Sequence, residues 1–248
     1  MNAKEARDVF KAAKEKGVYV AEAMWLRHRP IVTKLRDILF EQNAIGRVSW
    51  LSSQYNLPVD IVSLPPTSRY RDPKLGAGSL LDVGIYPLTW ALVSLERPEV
   101  DQLERPRILA AQTNSMGVEV TTNAVLQYSS TGQNALISSS FTAGRAVDPI
   151  CRIYGSSGYI DVIGEDASHP ESLVVHRELS YGGFDLQQHD FTQAGQGFMF
   201  EQDNTALDVL SHRTESAIMP WAETIRVMEI MDEMRRQGGT VYPQDAEV

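Results

Sequence analysis

Sulfhydryl chemistry is almost absent from this chain: among its 248 residues there is one cysteine, Cys151. A lone thiol forms no intramolecular disulfide, which fits a reducing compartment, and its ordinary role is that of a small buried apolar side chain. An excess of positive charge is missing too. Lys and Arg number 23 against 32 Asp and Glu, for a formal net charge of −9, whereas a nucleic-acid surface needs a basic footprint. No apolar run approaches the ~18 residues of a membrane span. The opening Met-Asn-Ala-Lys-Glu-Ala-Arg-Asp contains no apolar signal-peptide core. The expectation is a cytoplasmic protein whose partner is a small molecule, with neither nucleic acid nor membrane involved.

Chemical motifs are also sparse. Beyond His28, the histidines His169, His176, His189 and His212 are scattered without ligand spacing, so no metal is expected. No serine stands in a G-x-S-x-G context. No G-x-G-x-x-G occurs, and the clusters Gly76-Ala77-Gly78 and Gly155-Ser156-Ser157-Gly158 do not join a strand to a helix within a β-α-β unit.

What is present is an ordinary globular composition, 43 % apolar and 22 % charged, long enough for one large domain or two small ones. Residues 2–16 predict a helix: Asn2 can cap it, Glu5 completes a capping box, and Gly17 supplies a left-handed stop. Ala6, Val9, Phe10 and Ala13 form its apolar stripe. Residues 18–25 are nearly all apolar, which suits a strand buried on both faces of a parallel sheet. Such a strand needs neighbours, and nothing else in the chain continues the alternation. Residues 1–25 are therefore expected to be the last helix–strand unit of a truncated Rossmann-type domain, with an exposed strand edge.

Residues 26–248 predict a different architecture. Helices are expected over 30–42, 79–95 (opened by Ser79 and closed before Pro98), 201–211 and 221–236. A strand is expected at 47–55. A long proline-rich loop spans 56–78. Strands are expected at 107–114, 118–128, 134–142, 149–154, 158–163, 172–177 and 185–192, with a hairpin turn at Gly155–Gly158. This is an α+β fold with a large, mostly antiparallel sheet. The C-terminal helix is free to pack back on the first unit.

Two segments carry possible chemistry. In Gly76–Leu88, Asp82 and Tyr86 are four residues apart on one predicted helix and share a face. A tyrosine hydroxyl can exchange a proton with a substrate oxygen, although its ordinary value near pH ~10 calls for a nearby cation. Asp82 would orient the substrate hydroxyl or the tyrosine proton. Gly84, between them, suggests that something approaches this helix closely. The plain alternative is a local salt bridge for Asp82 and a packed Tyr86. In Glu22–Pro30, Trp25 offers a flat wall for a sugar or nicotinamide, and Arg27, His28 and Arg29 offer charge. The plain alternative is a core tryptophan with solvated cations. Arg69 and Arg71, in the proline-rich loop, could clamp an anion or simply be solvated.

Taken together, EAMWLRHRP at 22–30 and GAGSLLDVGIYPL at 76–88 resemble the glucose–fructose oxidoreductase/inositol dehydrogenase (Gfo/Idh/MocA) family. The branch of dimeric dihydrodiol dehydrogenases and NADP-dependent D-xylose dehydrogenases is the most similar. AKEARDVFKAAKEKGVYVAEAMW and TESAIMPWAETIRVMEIMDEMRRQGGTVYP extend the likeness along nearly the whole chain. The resemblance implies a Rossmann domain holding NADP or NAD and an α+β domain that binds substrate on one side of its sheet and a second subunit on the other. It implies Tyr86 as general acid/base, Asp82 as substrate-orienting residue and Trp25 at the site wall, with Arg27 and Arg69 as binding candidates. It also implies a Glu-Lys-Pro motif just before Asn2, whose lysine serves the tyrosine; this chain contains no such motif. The expected function is NAD(P)-dependent oxidation of a secondary alcohol in a sugar, diol or polyol, or the reverse reduction, with weak or no cofactor binding by this chain alone. The alternative is a cofactor-incompetent homologue kept as a dimerisation or ligand-binding module.

Overall fold

A computed structural model describes residues 1–97, 104–145, 149–193 and 195–245. The first helix, α1 (Ala3–Lys16), forms as its pattern requires. Asn2 caps it by accepting from the Glu5 amide at 2.9 Å, and Gly17 closes it in the left-handed region at φ 62°. Only half of the capping box forms, because no Glu5 bond returns to the Asn2 amide.

The strand expected at 18–25 does not form. Residues 18–24 have no ladder partner, and Trp25–His28 turns into a short 3-10 helix. The reason is the one that made the assignment awkward: a two-sided strand needs parallel neighbours, and the described residues provide none. The backbone finds other partners. The Val20 amide donates to the Thr214 carbonyl at 3.1 Å, and the Trp221 indole donates to the Val20 carbonyl at 2.7 Å.

The sheet has eight strands: β1 (Val48–Asn56), β2 (Arg107–Ser115), β3 (Val118–Gln127), β4 (Asn134–Ser140), β5 (Cys151–Gly155), β6 (Gly158–Asp166), β7 (His169–Glu178) and β8 (Phe184–Asp190). Their spatial order is β2-β3-β4-β1-β5-β6-β7-β8. Only the β1–β4 pair is parallel among the described strands; every other pair is antiparallel. The mostly antiparallel α+β architecture is thus as the sequence implies.

Alternation gives the sheet one buried and one open face. Leu51, Leu126, Ile137, Ile153, Ile160 and Val175 point into a core closed by α2 (Pro30–Arg36), α3 (Ile85–Leu95) and α5 (Trp221–Gly238). Cys151 sits in this core, and burial pushes its thiol well above the ordinary range. The other face keeps Leu109 and Leu136 about half exposed. Helix α1 packs on α5, with Phe10 stacked on Trp221 at 5.3 Å.

The helix that carries the motif is built differently from expectation. Leu80–Gly84 is a π-turn, and α3 begins at Ile85. Pro87 explains this: it has no N–H for the Val83 carbonyl, and its ring crowds that oxygen, so the preceding turn widens. Ser79 does not cap the turn with its side chain. Glu119, reaching across from β3, takes that place: its carboxylate accepts from the Leu80 amide at 2.9 Å, Ser79 Oγ at 2.6 Å and Thr122 Oγ1 at 2.8 Å. Gly84 does meet a close neighbour, and it is β4: a Cβ here would stand 2.9 Å from Ser139 Oγ. Pro98, expected to close the helix, lies outside the described residues.

Glu119→Ala leaves the Leu80 amide and the Thr122 hydroxyl without their acceptor, while Ser79 Oγ can turn to Ser139 Oγ at 2.9 Å, so unfolding in urea should lose about 2–4 kcal/mol with an unchanged m-value. Burial raises the Glu119 carboxyl above its ordinary value in the fold. Its contribution is therefore complete below the unfolded carboxyl value and declines as pH rises through the folded one. The stability difference between wild type and Glu119→Gln should shrink across that window, and a difference independent of pH would contradict the assignment.

Candidate active site

Tyr86 stands in the first turn of α3, where the π-turn meets the α-helix. The 3-10 helix at Trp25–His28 brings an indole against it: Trp25 Nε1 donates to the Tyr86 hydroxyl oxygen at 2.9 Å, and the rings meet edge to face at 6.4 Å. The hydroxyl therefore spends a lone pair on Trp25. Among the described residues no acceptor takes its own proton, which is free for a ligand oxygen. Trp25 is itself 7 % exposed, tilted against Phe198 at 4.8 Å and covered by the Arg29 guanidinium at 5.3 Å. It serves more as a positioner of Tyr86 than as an open wall.

Asp82, four residues earlier, turns its carboxylate to an ion pair with Arg69 from the proline-rich loop. It makes no hydrogen bond to Tyr86. The local salt bridge, the plain alternative for Asp82, thus forms, and the Arg69 charge also acts on the Tyr86 phenol. Burial is the largest influence on the Tyr86 phenol and pushes it above its ordinary value. Asp166 and Glu201 push the same way, and the Trp25 bond and the Arg69 charge pull it down. The net result is a phenol that stays protonated at neutral pH and is competent to donate.

The other cations of the two segments go elsewhere. In a 3-10 helix, successive residues point about 120° apart, so Arg27 cannot face the side that Trp25 faces. Arg27 forms an ion pair with Glu223 at 2.5 Å, in a network with Arg226 and Glu96. His28 is buried against Asn204, its Nδ1 at 3.2 Å from the amide nitrogen. Arg29 is 2 % exposed and donates to the Pro170 and Gln196 carbonyls. None of these three is solvated, and Arg27 does not join the tyrosine. Arg71 folds its own loop by donating to the Val62 and Leu64 carbonyls.

Sequence reasoning missed Tyr55, Asp166 and His169. Tyr55 on β1 lies 5.8 Å from the Tyr86 ring and donates to Asp166 Oδ2 at 2.9 Å. The other Asp166 oxygen accepts from Ser168 and His169. His169 lies 6.4 Å from the Trp25 ring. These residues converge across strand pairings and carry no local motif.

A family model described as the GFO/IDH/MocA C-terminal domain matches residues 32–161. The chain belongs to the GFO/IDH/MocA family. Among its relatives, D-xylose 1-dehydrogenase (NADP(+)) of Hypocrea jecorina is 27 % identical over 98 % of this chain and 66 % of its own length. Trans-1,2-dihydrobenzene-1,2-diol dehydrogenase of Xenopus tropicalis is 30 % identical over 98 % of this chain and 70 % of its own length. Both branches that the motifs resemble are therefore represented. The fold is that of an aldose-aldose oxidoreductase from Caulobacter crescentus solved with glycerol, with a TM-score of 0.77 at 17 % identity, covering 96 % of this chain and 67 % of that one. The chain spans about two thirds of the length of the family members it matches.

The described residues do not fit a whole dinucleotide. Open α/β sheets bind such cofactors at the carboxyl ends of parallel strands next to a glycine-rich turn, and here the one parallel pair among the described strands, β1 with β4, is joined through α3 and two antiparallel strands.

A difference titration at the tyrosinate absorption band, wild type against Tyr86→Phe, should place this phenol above pH 10. Trp25→Phe removes a bond that lowers it and should move the step higher still. A step at or below the ordinary value, or one indifferent to Trp25, would contradict this geometry.

Proposed function

We propose that this chain is the substrate-side portion of an NAD(P)-dependent oxidoreductase acting on a secondary alcohol of a sugar, diol or polyol, or on the corresponding carbonyl. The observation that carries the reading is the Tyr86 hydroxyl, oriented by Trp25 with its proton uncommitted, beside the Asp82–Arg69 pair. In the reducing direction Tyr86 gives its proton to the carbonyl oxygen, and its raised pKa keeps that proton present at neutral pH. In the oxidising direction the hydroxyl proton passes to the tyrosinate form of the same oxygen, the form that proton donation leaves behind and that the Trp25 bond and the Arg69 charge favour. Asp82 holds Arg69 near the substrate oxygen and accepts a neighbouring hydroxyl. The hydride belongs to the nicotinamide, with NADP favoured by the xylose relative. Residues 1–25, packed on α5, are read as part of the cofactor-binding unit.

The open sheet face supports a second element of the proposal. Leu109, Val125, Leu136 and Ile150 line a shallow concavity of about 570 Å³ there. Gln54, Asn123 and Ser138 stand among these apolar side chains, and a mixed face of this kind suits a homodimer through the sheet.

In an NADP-coupled assay over polyols and diols, run on the polypeptide extended to the length of its relatives, Tyr86→Phe should lower kcat about 10²–10⁴-fold with little change in KM. Asp82→Asn should act mainly on KM. Full turnover by Tyr86→Phe would overturn the proposal.

A further inference from the structure

Two buried polar atoms near this site make no hydrogen bond among the described residues: His169 Nδ1, which has Glu165 at 3.6 Å, and Glu201 Oε1. Glu201 lies in the first turn of α4 (Met199–Leu210), and its Oε1 is buried without a hydrogen-bond partner among the described residues. A buried carboxylate oxygen left unpaired is costly, and native structures retain one where a ligand or water completes it. Its placement is fixed by its neighbours at three-residue spacing. Phe198 packs on Trp25 at 4.8 Å, and Asn204 meets His28 at 3.2 Å. Glu201 lies midway between them, on the same side of the helix, facing the Trp25–His28 segment. Its charge reaches the Tyr86 phenol, and burial pushes its own carboxyl up. The nearby cations are committed: Arg69 to Asp82, and Arg29 to two backbone carbonyls.

We propose that Glu201 is a specificity-determining residue of the Tyr86 site, its orphaned Oε1 accepting a hydroxyl of a polyhydroxylated substrate while another oxygen of the same molecule meets Tyr86. The inference rests on the reading of Tyr86 given above and narrows it. A pentose or linear polyol has hydroxyls to spare beyond the reacting one. A ring diol has two vicinal oxygens, one for Tyr86 and one for Asp82, and a hydrocarbon remainder, which would leave Oε1 facing carbon. An acceptor built for a hydroxyl discriminates strongly against a ligand lacking it, because the loss leaves a buried polar group unpaired. Glu201 therefore favours the sugar side of the two chemistries represented among the relatives.

The test is calorimetric titration of this chain with D-xylose and with trans-cyclohexane-1,2-diol, using wild type, Glu201→Leu, Glu201→Gln and Tyr86→Phe. Glu201→Leu should weaken pentose binding about 10–100-fold and change diol binding by less than about threefold. Glu201→Gln keeps an acceptor oxygen and should fall between Leu and wild type for the pentose. It also serves as the folded control should the leucine variant fail to fold. Tyr86→Phe should weaken both ligands. Wild type and Glu201→Leu binding the pentose equally, or Glu201→Leu weakening both ligands alike, overturns the role of Glu201 and leaves that of Tyr86 standing. Failure of wild type to bind either ligand, or indifference of both to Tyr86→Phe, overturns the site itself and the inference with it.

Discussion

The hydrogen bond from the Trp25 indole to the Tyr86 hydroxyl is the constraint on which the site depends. It ties the segment leaving α1 to the helix lying on the sheet, across 61 positions of sequence. It occupies a lone pair of the phenol and leaves its proton without a protein acceptor among the described residues. The indole is held in turn by Phe198, by the Arg29 guanidinium and by near-complete burial. A catalytic hydroxyl gains most from such support when its partner cannot rotate away, and a tryptophan packed on three sides cannot.

The rest of the fold positions that contact. Gly84 lets the π-turn lie against β4 at a distance no side chain would permit, and Pro87 makes the widened turn the favoured geometry. Glu119 then anchors the start of the turn from the sheet. Asp82 and Tyr86 are held by this turn. The local departures from ideal helix geometry are concentrated where the chemistry is proposed, as is common for π-turns.

Much of this was legible in the sequence, for definable reasons. Strands β1–β8 announced themselves through alternation and turn residues, because one face of the sheet is buried and the other is not. Asp82 and Tyr86 were visible because both lie within thirteen consecutive residues of one motif. The strand at 18–25 was misjudged because an apolar run reports burial and not backbone pairing, and pairing is decided by neighbours. Arg27 was misplaced because a 3-10 turn sends adjacent side chains to different sides. Tyr55, Asp166 and His169 were invisible because they come from β1, β6 and β7, and single-sequence periodicity carries no information on which elements converge.

The most direct measurement is a crystal structure of this chain with a bound pentose or polyol. The account predicts a ligand oxygen about 3 Å from the Tyr86 hydroxyl on the side away from Trp25, with the indole bond intact. A ligand seated elsewhere, or a Tyr86 hydroxyl that donates its proton to a protein carboxylate in the complex, would contradict it.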